Sequence, residues 1–242
     1  MDDPAIDYRT PRGALTAGAR DAFGAPAAVL AAGYVGYGAL AAELNFPLPL
    51  IVASALLIWA LPGQLIMVEM VALSAQFALI VVAVVLSAMR FLPMTTVLST
   101  MIRHPRYIGW PMYLSAHLIA MTGWAAAVNR CPRLPTDQRL PYFAGFALVL
   151  WVASAAASAV GYFIADQMSA TVKLGLVFMN PIYFLLILTG ETRDAPGRLS
   201  LAAGAITGPI AYVIAPQWSV LAAGLVGGSA AYAIHRWSRR RA

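Results

Sequence analysis

Charged residues and cysteines are scarce in this sequence. Only 11% of the residues are charged, against about a quarter in soluble domains, while 61% are hydrophobic and the mean hydropathy is +0.74. So little charge cannot cover the surface of a soluble domain. Most of the 242 residues lie in apolar runs near the roughly 20 residues that a spanning helix needs. The composition therefore predicts an integral membrane protein.

Several chemical classes lack their usual residues. The single cysteine, Cys131, excludes an intramolecular disulfide and argues against a thiol-metal site. The sequence has no phosphate-binding loop, no Gly-x-Ser-x-Gly and no His-Glu-x-x-His motif. These absences argue against direct ATP coupling and an intramembrane enzyme, and we expect no metal or cofactor. About twenty polar residues precede the first apolar run, so we also expect no cleaved signal peptide.

Eight apolar segments follow one another along the chain. They cover residues 24–43, 47–73, 76–99, 109–129, 141–165, 170–190, 199–215 and 219–236. A polar linker at 130–140 separates a first repeat, about 22–129, from a second, about 141–237. The second segment of each repeat is interrupted, by "LPGQ" at 61–64 and by "FMNP" at 178–181. The pattern predicts one all-α polytopic membrane domain of two structural repeats, with six to eight membrane segments.

The interrupted segments are either re-entrant hairpins or spanning helices. The positive-inside rule places the same number of cationic side chains in the cytoplasm in both cases, so it does not separate them. Both cases put both termini in the cytoplasm. The rule also explains the arginines between the apolar segments better than nucleic-acid binding does.

Interrupted segments at matching places are typical of a transporter's binding site, because broken helices turn backbone groups toward a cavity. Pro62 and Pro181 suit the first turn of a restarted helix, and Asn180 suits its N-cap. A helix N-terminus carries partial positive charge and free N–H groups, which favour a carboxylate. We therefore predict substrate binding at Pro62, Gly63, Gln64, Asn180 and Pro181. The alternative is a proline kink in an ordinary spanning helix.

Three ionisable residues lie inside apolar segments. Arg90 is the most costly, since a charge at the centre of a spanning helix costs about 2.5 to 3.5 kcal/mol on insertion scales. We predict that it binds substrate beside Gln64, where its planar fork holds a carboxylate; the alternative is snorkelling to the interface. Glu69 and His117 are the candidates for proton coupling, with an interfacial and a structural role as their alternatives.

Small residues recur at helical spacing in two segments. They are Ala153, Ala157 and Gly161 in the fifth and Gly224 and Gly228 in the last. Such stripes are typical of closely packed membrane helices, either within the chain or against a partner.

One stretch carries a family resemblance. The run "SALLIWALPGQLIMVEMVALSAQFALIVVAVVLSAMRFLPMTTVLS" resembles the motif block of AzlC-like permeases, "SLLVFAGASQFAALALL" followed by "LLVNLRHLLYG". Gln64 falls on the Gln of "SQF" and Arg90 on the Arg of "NLRH". The run "LGLVFMNPIYFLLIL" resembles the later "LGLDFALPALF", with Pro181 on its Pro. The chain departs from the family at Pro62-Gly63, Ala88, Phe91 and Val177.

The resemblance implies a function and a partner. AzlC-like permeases are the large subunits of branched-chain amino-acid exporters and work with a small AzlD-like membrane subunit. By resemblance, this chain is expected to be a secondary transporter subunit in the bacterial inner membrane that exports branched-chain or related apolar amino acids. The alternative from the residues is a channel or an assembly subunit whose activity lies in a partner.

Overall fold

The computed structural model describes residues 10–191, 195–214 and 223–241, and these ranges form helices without a strand. The all-α prediction is therefore confirmed for the described part of the chain. The helices are α1 (Pro11–Ala22), α2 (Ala25–Glu43), α3 (Leu48–Leu57), α4 (Leu61–Ala72), α5 (Phe77–Ala88), α6 (Phe91–Ile102), α7 (Trp110–His117), α8 (Met121–Arg130), α9 (Arg139–Phe163), α10 (Ala170–Glu191), α11 (Ala195–Ile214) and α12 (Gly228–Arg241).

The chain divides into two compact units, Met1–Phe184 and Leu185–Ala242. The boundary does not coincide with the polar linker at 130–140. The division into two repeats about that linker stays a prediction.

Length and apolar composition identify three candidate membrane spans among the described residues. They are Ala25–Glu43, Arg139–Phe163 and Gly197–Ile214, and the pair α5 and α6, bent by 48°, makes four if the pair is counted as one span. The helices α3 and α4 are apolar but short. These findings support a multi-pass protein, whereas the expected six to eight segments are not confirmed.

The first unit is built around α9, against which α1, α2 and α3 pack. Glycines allow the closest approaches. A Cβ atom on Gly38 of α2 would lie 2.0 Å from the Ser158 carbonyl oxygen, and one on Gly161 of α9 would lie 2.0 Å from that of Val35. The predicted packing role of Gly161 is thus confirmed. The polar N-terminal stretch also contributes, because α1 packs on α9 with Gly18 directly against Tyr142.

We expect Gly38→Ala to destabilise the protein by about 1 to 3 kcal/mol, because its Cβ atom would overlap the α9 backbone. Gly175→Ala in α10 is the matched control, since its Cβ atom meets nothing within 4 Å in the described structure. Alanine there should be neutral or mildly stabilising. The measurement is the midpoint of thermal unfolding in detergent, and equal midpoints for the two variants would contradict the close packing of α2 on α9.

The predicted interruption at 178–181 is wrong. The helix α10 runs without a break from Ala170 to Glu191 and contains Pro181. A proline removes one backbone hydrogen bond, but a membrane helix tolerates this loss when its surroundings satisfy the freed carbonyl group. The alternative of a helix that continues through its proline therefore describes this segment.

An ion pair joins the end of α2 to the start of α10. Lys173 donates to the Glu43 carboxylate, and Lys173 is only 2% exposed. Nearby, Gly36 of α2 lies against the backbone of Lys173 and Val177. The start of α10 is thereby fixed to α2 within the first unit.

In the second unit, Gly227 rather than the predicted stripe makes the close contact. A Cβ atom on Gly227 would lie 2.7 Å from the Thr207 hydroxyl of α11 and 3.3 Å from the Ala203 carbonyl. Added Cβ atoms on Gly224 and Gly228 would meet nothing within 4 Å among the described residues. These two glycines therefore do not make the close contact within this unit, where Gly227 makes it, and their packing against a partner stays a prediction.

Cys131 follows α8 in a short 3₁₀ turn, Cys131–Arg133, and is fully buried. Burial raises the pKa of its thiol to about 11, and nearby Arg139 opposes that rise. The thiol is therefore protonated at neutral pH and packs as a small apolar side chain.

Candidate functional site

Two broken helices lie in the first unit, each with a three-residue break. The first break, 58–60, separates α3 from α4, and the second, 118–120, separates α7 from α8. The predicted residues 61–64 form the first turn of α4, so the first interruption is confirmed but lies slightly earlier in the chain. The second break falls in the apolar segment 109–129, for which the sequence predicts no interruption.

Trp59 shapes the first break. It has the left-handed φ of +43°, and its amide N–H donates to the Ser54 carbonyl at 3.3 Å, which closes the end of α3. This position after a helix usually holds glycine, because a side chain there is strained. The indole Nε1 donates to Ser154 Oγ on α9 at 3.1 Å. A buried tryptophan is thus held at the break by contacts in two directions.

The two breaks are joined by the carbonyl of Leu56, near the end of α3. His117 Nε2, at the end of α7, lies 2.9 Å from this oxygen, and Trp151 Nε1 of α9 donates to it at 2.9 Å. The His117 and Trp151 rings also meet edge to face, with centroids 6.4 Å apart. His117 and Trp151 therefore together satisfy a carbonyl at a helix end.

A cavity lies where α4 and α8 begin. Its ten lining residues come from α2, from both breaks and from the bend between α5 and α6: Leu30, Tyr34, Trp59, Ala60, Leu61, Pro62, Arg90, Phe91, Ala120 and Met121. The space open to the centre of a water molecule is about 30 Å³, which holds about two waters. The cavity in this structure is therefore smaller than an aliphatic side chain requires.

The polar groups around the cavity are mainly positive. The first intrahelical hydrogen bond of α4 runs from Gln64 N to Ala60 O at 3.0 Å, so the Leu61 and Gly63 N–H groups precede it. In α8 the corresponding bond runs from Trp124 N to Ala120 O at 2.8 Å. Two helix N-termini thus direct partial positive charge at one cavity.

Arg90 adds a full charge at the bend between α5 and α6. Its guanidinium carbon lies 5.1 Å from the centre of the Phe91 ring, and its side chain lines the cavity while it remains exposed overall. Thr122, which follows cavity-lining Met121, is 3% exposed, and its hydroxyl oxygen has no hydrogen-bond partner in the described residues. The arrangement therefore suits an anionic group better than a cationic one.

A buried hydrogen-bonded network supports the cavity from behind. Tyr34 donates to Gln64 Oε1 at 3.0 Å, and Gln64 Nε2 donates to Ser54 Oγ at 3.1 Å. Ser54 donates to the Ile51 carbonyl at 2.7 Å, which leaves its oxygen to accept from Tyr37 at 2.7 Å. Gln64 is fully buried in this network, so its amide links α2, α3 and α4.

The predicted site residues occupy different environments. Pro62 and Arg90 line the cavity, whereas Gly63 packs against Ser87 and Gln64 belongs to the network behind. Glu69 is exposed on α4, two turns beyond the cavity.

Two further predicted residues lie in α10. Pro181 is exposed within the helix, and the side chain of Asn180 lies outside what the structure describes. Since α10 is unbroken, it provides no second half-helix N-terminus at these residues. The second N-terminus at the cavity belongs to α8.

Sequence reasoning missed the residues of the second break, although a signal was present. Residues 60–63 read "ALPG" and residues 120–123 read "AMTG", so each restarted helix has Ala at its N-cap and Gly three positions later. Both glycines are buried. Only the first of these two stretches contains a proline. A prediction of helix breaks that depends on proline therefore does not find the second break.

Comparison with protein-family models gives a match. The family model described as AzlC protein matches residues 27–168, which include every residue that lines the cavity. No curated protein and no solved structure matches the chain.

Proposed function

The chain belongs to the AzlC family, and on that basis we propose that it is a secondary transporter subunit that exports branched-chain or related apolar amino acids. The observation that carries this proposal is the cavity where α4 and α8 begin beside Arg90. A carboxylate there would accept hydrogen bonds from the free N–H groups and from the guanidinium. Pro62 and Arg90 are its proposed contacts, with Gly63 and Gln64 supporting them.

The remaining lining suits an apolar side chain. Leu30, Leu61, Phe91 and Met121 surround the positive groups, so the cavity joins an anion site to apolar walls. That combination matches an apolar amino acid held by its carboxylate. Because the open space holds about two waters, the cavity must enlarge before a leucine side chain can enter.

Alternating access supplies such an enlargement. In transporters with broken helices, parts of the protein rock about a fixed site. The two breaks are joined through His117 and the Leu56 carbonyl, so movement of α7 is transmitted to the end of α3. Trp59 lines the cavity at one break and is the bulkiest residue that must yield.

Proton coupling is the proposed energy source, with Glu69 and His117 as candidates. Glu69 is exposed on α4, and His117 already binds the Leu56 carbonyl, so Glu69 is the freer of the two. Glu69→Gln is expected to flatten the pH dependence of export, and a profile that keeps the wild-type shape would remove Glu69 from this role. The analogous experiment on His117 must control for loss of its structural bond.

The proposed setting is the bacterial inner membrane, with both termini in the cytoplasm and a small AzlD-like membrane subunit as partner. Apolar helices and family membership support a multi-pass membrane location. The family resemblance supports the proposed partner, and the charge pattern supports the proposed orientation. The resemblance also supports the proposal that the chain is a carrier and not an enzyme.

The experiment is export of labelled leucine, valine, isoleucine and methionine from cells that express the chain with and without a small membrane subunit. We expect saturable export that requires the pair and shows counterflow. Counterflow separates a carrier from a channel. If folded protein with its partner exports none of the four, the amino-acid assignment is wrong.

A further inference from the structure

The cavity contains one charged side chain, the cationic Arg90, and none of its ten lining residues is acidic. The sequence has no Asp or Glu between Glu69 and Asp137, a stretch that contains α5 to α8. Glu69 itself is exposed and lies away from the cavity. The first unit therefore provides a positive site without a carboxylate beside it.

An amino acid carries an α-ammonium group next to its carboxylate, and this group would enter the same positive environment. Burial of an ammonium group is costly unless it is paired and hydrogen-bonded. The two helix N-termini and Arg90 repel it. The acceptor that the lining side chains offer is neutral, since the Tyr34 hydroxyl donates its proton to Gln64 and keeps lone pairs on its oxygen, and no lining carboxylate is present to balance the ammonium charge.

We infer that this site, resting on the proposed carboxylate-binding function, recognises the carboxylate and the apolar chain but not the α-ammonium group. Its ligand class is then the short apolar monocarboxylate. Branched 2-oxo acids belong to this class, and they add a carbonyl oxygen that can accept a further N–H or hydroxyl hydrogen bond. The buried Thr122 hydroxyl, at the second residue of α8, is one such unpaired polar group near the cavity.

The test measures competition in proteoliposomes that contain the full chain and, where export requires it, the small subunit. Three unlabelled compounds share the leucine skeleton: 4-methyl-2-oxopentanoate has no ammonium group, leucinamide has no carboxylate, and leucine has both. Each is added against labelled leucine, and binding of each is measured separately by the shift in thermal unfolding. We expect the concentration of oxo acid that inhibits by half to be no more than about threefold that of unlabelled leucine. The corresponding concentration of leucinamide should be at least tenfold higher than that of leucine.

The outcomes separate failure of this inference from failure of the proposed function. If leucine binds and the oxo acid does not, the inference is overturned while the proposed function stands. If the oxo acid binds and leucine does not, the inference stands and the amino-acid assignment fails. Binding of leucinamide as strong as that of leucine would show an ammonium site and overturn the inference, and binding of neither carboxylate would overturn both proposals.

A pair of variants identifies the site. Arg90→Gln should weaken the oxo acid and leucine together by at least tenfold, because both present the same carboxylate. Arg103→Gln removes an exposed arginine that does not line the cavity, and both affinities should stay within twofold. Equal losses in the two variants would place carboxylate binding elsewhere and overturn the inference.

Discussion

Replacing Arg90 with glutamine should lower export of leucine by about 10- to 100-fold while the protein still folds. Hydrogen bonds to charged groups contribute about 1.5 to 3 kcal/mol each, and 1.4 kcal/mol corresponds to a factor of ten. Arg90 provides the only full positive charge among the residues that line the cavity. Glutamine keeps a planar donor but removes that charge, so the loss should fall on substrate affinity.

The measurement is the concentration dependence of initial export rates, with equal protein in the membrane verified by blotting. Arg103→Gln is the matched control and should export at the wild-type rate, because Arg103 is exposed at the end of α6. Wild-type export by Arg90→Gln would mean that the arginine serves packing or topology, and the carboxylate site would then have to be sought elsewhere.

Folding of the Arg90→Gln variant is expected for a physical reason. Insertion of an arginine at the centre of a spanning helix is unfavourable, so its removal relieves a cost. In this structure Arg90 contacts the Phe91 ring next to it in sequence. A functional defect without loss of folding is the pattern that separates a binding residue from a structural one.

The sequence was sufficient to predict that the chain lies in a lipid bilayer and that its second apolar segment is interrupted. Apolar runs near 20 residues predict helices, since a helix satisfies its backbone groups within one segment in lipid. Pro62 marks the restart of α4 because its ring cannot occupy a helix interior without loss of a hydrogen bond. Both predictions depend only on the residues of one segment, so they can be made before the fold is known.

The same rule failed at Pro181 because it depends on surroundings. A membrane helix tolerates a proline wherever neighbouring groups satisfy the freed carbonyl, and α10 runs through this one. The break at 118–120 has no proline at all. It is stabilised by a tertiary contact from His117 to the Leu56 carbonyl, which joins residues 61 positions apart and cannot be predicted from neighbouring residues.

The roles of Gln64 and Arg90 could be separated only in three dimensions. Both are polar residues in apolar segments, so the sequence assigned both to the substrate. The structure places Gln64 in a closed network with Tyr34 and Ser54, whereas Arg90 lines the cavity. Burial and partners, which distinguish a supporting residue from a binding residue, are properties of packing and not of composition.

The second large effect is expected at the ion pair between Lys173 and Glu43, and it should be asymmetric. Glu43→Gln removes the negative charge and leaves the Lys173 ammonium almost completely buried without its partner. Loss of one partner of a buried pair costs about 3 to 5 kcal/mol. Lys173→Met removes the buried charge and leaves a half-exposed carboxylate, which water can solvate, so that variant should lose about 1 kcal/mol or less.

The double variant Glu43→Gln with Lys173→Met gives the decisive comparison. Because no unpaired charge is left, it should recover most of the stability that Glu43→Gln loses. Thermal unfolding of the three variants in detergent measures the order, and the non-additive term gives the coupling between the two side chains. If Lys173→Met were as damaging as Glu43→Gln, the pair would be a net stabilising link between α2 and α10, and movement of α10 relative to α2 would require breaking it.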